Sequence, residues 1–227
     1  MTLCLLGPLG AVMQATRGAP APLTTPAATP AAGGPAPDGR WLLSHYVVKE
    51  RKFTLGRQYR VFDNAGRLVA YCKQKMFRLR EDIRFYADET QQVELFRMQA
   101  QKIIDFNASI AVTDSRTGQA IGFLRRRGWK SLFKDEWLVF DHNGNPVGNL
   151  HEDSGLMAFL RRFVLRIIPH EYDLLVGPPG AQRKAGEIKE RFQVIGDTYD
   201  LMRDPTAPVD GRILIGLTIC IDALEGQ

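Results

Sequence analysis

Arg212-Ile213-Leu214-Ile215-Gly216-Leu217-Thr218-Ile219-Cys220-Ile221-Asp222-Ala223-Leu224, near the C-terminal end of a 227-residue sequence, carries no polar face through its middle. Read as a helix, its thirteen residues span about 20 Å. That falls well short of the ~30 Å of hydrocarbon in a bilayer. A helix apolar all round and too short to cross a membrane has to be buried inside protein. The run from Ile213 to Ile221 is also rich in β-branched residues, so periodicity alone also allows a buried strand. The choice decides the fold, because a buried central helix needs a wall around it.

The preceding sequence offers such a wall. A hairpin with the same turn chemistry occurs at Tyr59-Arg60-Val61-Phe62-Asp63-Asn64-Ala65-Gly66-Arg67-Leu68-Val69-Ala70, and again from Ile110 to Gly122 and from Trp137 to Gly148. Asp63, Asp114 and Asp141 open the turns, where a carboxylate can accept backbone N–H groups ahead of it; Gly66, Gly118 and Gly144 close them, where the chain needs positive φ. The small residues Ala70, Gly122 and Gly148 mark close approaches of the returning strands, a central body being one candidate. The spacing between turns is unequal, so this is a recurring motif and not a solenoid of fixed period.

Other stretches alternate apolar and charged residues: Phe77-Arg78-Leu79-Arg80, Ile83-Arg84-Phe85-Tyr86 and Glu94-Leu95-Phe96-Arg97-Met98. His45–Lys49 with Phe53–Val61 reads as an opening hairpin, and Tyr172–Val176 with Glu187–Val194 as a late one. About ten to twelve strands result, a number that suits a barrel. One amphipathic helix interrupts them from Leu156 to Ile168, with Asp153 or Ser154 to cap it, Pro169 to end it, and Arg161, Arg162 and Arg166 on its polar side.

Residues 1–40 form a separate tail. Seven of the 13 prolines sit there among Ala, Thr and Gly, with Arg17, Asp38 and Arg40 as its charges. Such a composition reads as disordered. Leu3 to Met13 resembles the apolar core of a secretion signal, but no basic residue precedes it and Pro8 interrupts it, so it reads as part of the tail. Cys4, Cys72 and Cys220 are odd in number and lack metal-ligand spacing, which fits a reducing, cytoplasmic compartment. A net charge of +5 and a pI near 9.2 permit anionic partners.

The repeated F-D-x-x-G hairpins, the basic stretch before Trp137 and the terminal Arg212–Leu224 segment, in that order, resemble the LURP-one-related proteins, which share a superfamily with the phospholipid scramblases and the tubby C-terminal domain. The likeness spans residues 41–227, everything beyond the tail. It implies a mainly β fold: a closed barrel of about twelve antiparallel strands around a central hydrophobic C-terminal helix, which settles the last segment as helix. Barrels of that size are too wide for their own side chains to fill. The scramblases carry an acidic segment before the terminal helix that has been read as a calcium site. Asp197, Asp200, Asp204 and Asp210 fall in the corresponding stretch, but the detailed pattern is absent and Pro205 and Pro208 break it. These residues read as turn carboxylates, with no EF-hand spacing, and neither a metal nor a cofactor is expected.

No Gly-x-Ser-x-Gly elbow, phosphate loop or paired metal-spaced His is present, so no enzyme is expected. Two basic constellations are the candidate sites. Arg125-Arg126-Arg127-Gly128-Trp129-Lys130 sets four cations beside an indole, a combination suited to an anionic membrane surface. Arg161 and Arg162 lie on a basic amphipathic helix of the interfacial kind. With the resemblance, these residues lead to a non-catalytic module that binds anionic phospholipid headgroups or phosphoinositides, scramblase-like or tubby-like, at the inner face of the plasma membrane. A soluble scaffold with a protein partner is the alternative. Nucleic acid ranks below both, for want of a reading helix or stacking-aromatic motif.

Overall fold

The computed structural model describes residues 38–54, 56–74, 82–100, 109–127, 136–152, 170–178, 180–191 and 196–225. Twelve strands run in chain order: β1 His45–Thr54, β2 Gly56–Phe62, β3 Leu68–Gln74, β4 Ile83–Tyr86, β5 Glu94–Ala100 and β6 Ser109–Asp114. The second half comprises β7 Ala120–Arg127, β8 Glu136–Asp141, β9 Pro146–Glu152, β10 Glu171–Val176, β11 Arg183–Arg191 and β12 Thr198–Arg203. Each strand pairs antiparallel with its sequence neighbours, and β1 pairs β12 from His45↔Met202 to Lys49↔Thr198, so the sheet closes into a barrel without a free edge. The expected strand at Phe77–Arg80 and helix at Leu156–Ile168 lie outside the described residues.

The three hairpin turns are built as their sequences require. Asp63 Oδ1 accepts from the N–H groups of Ala65 at 2.9 Å and Arg67 at 2.8 Å. Asp114 Oδ1 does the same for Arg116 and Thr117, and Asp141 Oδ1 for Asn143 and Asn145. Gly66, Gly118 and Gly144 have φ of 74°, 71° and 82°, the left-handed region that favours glycine.

The terminal segment is a helix, α1, from Gly211 to Glu225. At 15 residues it is about 22 Å long. Leu214, Ile215, Leu217, Ile219 and Cys220 are fully buried, in one cluster with inward side chains such as Tyr59, Phe85, Phe96, Leu124, Leu150 and Leu201. Strand alternation explains the wall: positions such as Tyr46, Val48, Val61, Val112 and Val139 point in, and their neighbours point out. Two glycines let helix and wall approach. A Cβ on Gly122 of β7 would lie 2.6 Å from Ile213 Cδ1 and 2.5 Å from the Phe140 carbonyl oxygen, and one on Gly216 of α1 would lie 2.6 Å from Met98 Sδ. Gly148 differs, because its close neighbour is the Leu175 carbonyl of the adjacent strand.

Both ends of α1 are fixed to the wall. At its start, Arg212 donates Nη1 to Asp114 Oδ2 at 2.7 Å, donates Nε and Nη2 to the two oxygens of Asp210 at 3.0 and 2.9 Å, and lies over Trp41. At its finish, Asp222 accepts from β2 and β12. These anchors define two barrel ends: the Asp-Gly hairpins sit beside the start of α1, and the odd-numbered strands finish at the other end.

Candidate functional site

Two polar features stand out against this frame, one buried at the end of α1 and one on the outer wall. In the first, Asp222 Oδ2 accepts from Arg57 Nη1 and the Tyr59 hydroxyl, both at 2.6 Å, and Oδ1 accepts from the Tyr199 hydroxyl at 2.6 Å. Arg57 Nη1 also reaches the Asp222 carbonyl at 2.8 Å. A carboxylate at a helix C-terminus faces the negative end of the helix dipole; the Arg57 guanidinium offsets this and takes up a terminal carbonyl as well. Burial first, and then the neighbouring Asp222 charge, push both phenols far above the ordinary tyrosine range, so they remain protonated donors.

Glu50 and Asp197 lie beside this site. Their carboxylate oxygens and one of Asp222 fall within 4.8 Å of one another, all buried. Arg57 Nε lies 3.6 Å from Glu50 Oε1. Hard cations take oxygen donors of this kind; here the Arg57 guanidinium supplies the positive charge, and both Asp222 oxygens accept hydrogen bonds from Arg57, Tyr59 and Tyr199. The other acidic residues before α1 are also engaged: Asp200 with Arg191 and His45, Asp204 with Arg183 and Thr206, and Asp210 with Arg212. The cluster's chemistry is that of a lock between helix and wall.

The second feature is the end of β7, where the three consecutive arginines do not act as one patch. Alternation places Arg125 and Arg127 on the outer face and Arg126 on the face of Leu124, opposite the buried Trp137. The Arg125 guanidinium lies 4.8 Å over the Phe140 ring. Arg127 has a side chain 67% exposed and, among the described residues, a long contact of 3.3 Å to Glu136 Oε2. Glu136 is held from its other side by Asn149 Nδ2 at 3.0 Å. Trp129, Lys130, Arg161 and Arg162 lie outside the described residues. The buried Cys72 and Cys220 are both free thiols, and burial pushes that of Cys220 up to about 12.

A family model described as LURP-one-related matches residues 44–222, the whole barrel from just before β1 into α1. The chain belongs to the LURP-one-related family. Among solved structures, this LURP-one-related chain is similar to a protein from Arabidopsis thaliana determined by X-ray crystallography, at 10% identity and a TM-score of 0.46, over 85% of this chain and 99% of that one. No curated protein matches it. No helix among the described residues of this family member is long and apolar enough to cross a membrane.

Sequence reasoning passed over Glu50, Arg57, Tyr59 and Tyr199. Their meeting depends on strand register around a closed barrel, which no local pattern announces. Asp222 carried a readable signal, as the acid that ends an all-apolar helix.

Proposed function

We propose that this LURP-one-related barrel is a non-catalytic module that binds anionic phospholipid headgroups, in the scramblase-like or tubby-like manner, peripheral to the cytoplasmic face of a membrane. The observation that supports it is the outward pair Arg125 and Arg127. One is stacked on an aromatic ring and bears no carboxylate partner among the described residues; the other is mostly exposed and weakly held by Glu136. Both retain donors for phosphate oxygens, which arginine engages in bidentate fashion. The connection from β7 to β8 adds Trp129 and Lys130, and that from β9 to β10 adds Arg161 and Arg162. Both connections leave strands that finish at the same barrel end.

Co-sedimentation with vesicles tests the reading. The protein is expected to pellet with phosphatidylserine-containing vesicles and not with phosphatidylcholine alone, and to be released by salt as surface charge is screened. With about 1 kcal/mol per cation near the surface, R125A/R127A should bind roughly thirtyfold more weakly. Equal binding to neutral vesicles, or no effect of the double substitution, overturns it. Salt-insensitive capture of a protein partner would instead support the scaffold alternative.

A further inference from the structure

The charged outer surface differs between two sides of the barrel. Across β10, β11 and β12 the cations are neutralised in place: Lys184 by Asp173 and Glu187, Lys189 by Glu187, Arg191 by Asp200, and Arg183 by Asp204. Across β5 to β8, Arg127 meets Glu136 at 3.3 Å, while Arg97 and Arg125 meet no carboxylate among the described residues. Arg97 projects outward from β5, between the buried Phe96 and Met98. Register sets it directly opposite Arg84 of β4 and Thr113 of β6. Arg84 is taken by Asp82 and Glu94, whereas Arg97 has no carboxylate partner among the described residues and its Nε is buried without an acceptor. Like charges directly opposed on a sheet destabilise it. An arginine kept there with no counter-charge is a local cost that the fold itself does not explain.

We infer that the outer wall of β5–β8, from Arg97 to Arg125 and Arg127, is a docking face that lies against an anionic bilayer, with Arg97 as a further headgroup contact. This rests on the lipid-binding reading above and extends it from a strand end to a whole side of the barrel. Spacing favours a surface over a single soluble ligand. Arg97 pairs with Thr113, and Arg125 with Ser109 on the same strand. The two arginines are therefore two strands and four residues apart, roughly 10 Å across and 14 Å along the sheet. One phosphate cannot bridge them, but neighbouring headgroups can. The half-buried Phe123 and Phe140 are directly opposed on β7 and β8, beside Arg125, and add apolar and aromatic surface suited to the interface.

The test uses the full chain and mixed phosphatidylcholine–phosphatidylserine vesicles. R97A is expected to weaken binding about fivefold, R97K to retain most of it, and K189A on the neutralised side to leave it unchanged. Thermal melts of each variant show whether the fold is kept; the R97A-to-R97K comparison then separates charge from packing. If R97A binds as the wild type while R125A/R127A is weakened, the docking face is wrong and the headgroup reading stands. If the wild type ignores anionic vesicles, the headgroup reading fails and this inference with it. Displacement by millimolar inorganic phosphate, or stronger binding to duplex DNA than to vesicles, overturns the bilayer as the partner.

Discussion

Asp222 is the residue on which the two halves of the molecule meet. It belongs to α1, yet its oxygens accept from Arg57 and Tyr59 of β2 and from Tyr199 of β12, strands that flank β1 where the barrel closes. Removing one partner of a buried charge pair leaves the other uncompensated and costs about 3–5 kcal/mol. D222A takes the acceptor from two buried hydroxyls and the 2.6 Å carboxylate partner from Arg57, which keeps Glu50 at 3.6 Å, so it is expected to destabilise the protein by about 3–5 kcal/mol or prevent folding. Y199F removes one donor to the buried carboxylate and should cost about 1.5–3 kcal/mol. Equilibrium urea titration of both variants checks the ranking, and a D222A midpoint equal to that of Y199F would contradict the lock.

At the level of the hairpin, the turn aspartates make the fold sensitive to acid. The Asp63 carboxyl is held below its ordinary range, chiefly by the Arg67 backbone N–H. Burial pushes those of Asp114 and Asp141 up, but hydrogen bonds outweigh it: Arg212 with Thr117 and Arg116 for Asp114, Asn145 and Asn143 for Asp141. Since the folded values lie below the unfolded ones, the stability they contribute is complete above the unfolded value, near 3.8. It is lost as pH falls through the folded values. Melting temperature is therefore expected to hold down to about pH 5 and drop below pH 4. In D114N, which also loosens Arg212 at the start of α1, stability at pH 7 should fall by about 1–2 kcal/mol and the acid drop should be shallower. A pH series of thermal melts on the two proteins measures both effects.

For the molecule as a whole, the recurring Asp-Gly turns and alternating strands made the hairpins legible, because turn chemistry and period-2 burial are local properties. The helical state of Ile213–Ile221 was not legible from periodicity and followed from the family resemblance. The splitting of Arg125, Arg126 and Arg127 between two faces follows from strand alternation once the ends of β7 are known. The importance of Arg97 was hidden for a different reason: its meaning lies in what does not face it across the sheet. Closure makes α1 the interior of the barrel, so its side chains substitute for a core the wall cannot supply alone. L217D is therefore expected to abolish the folded state, with loss of β-sheet circular dichroism and of the wild-type gel-filtration peak, since a buried carboxylate there meets no partner. L217A removes volume without adding charge and should leave a folded barrel weakened by about 2–5 kcal/mol. A soluble, folded L217D protein would mean that α1 can leave the barrel while the strands remain closed, and would return this segment to the membrane as a candidate ligand.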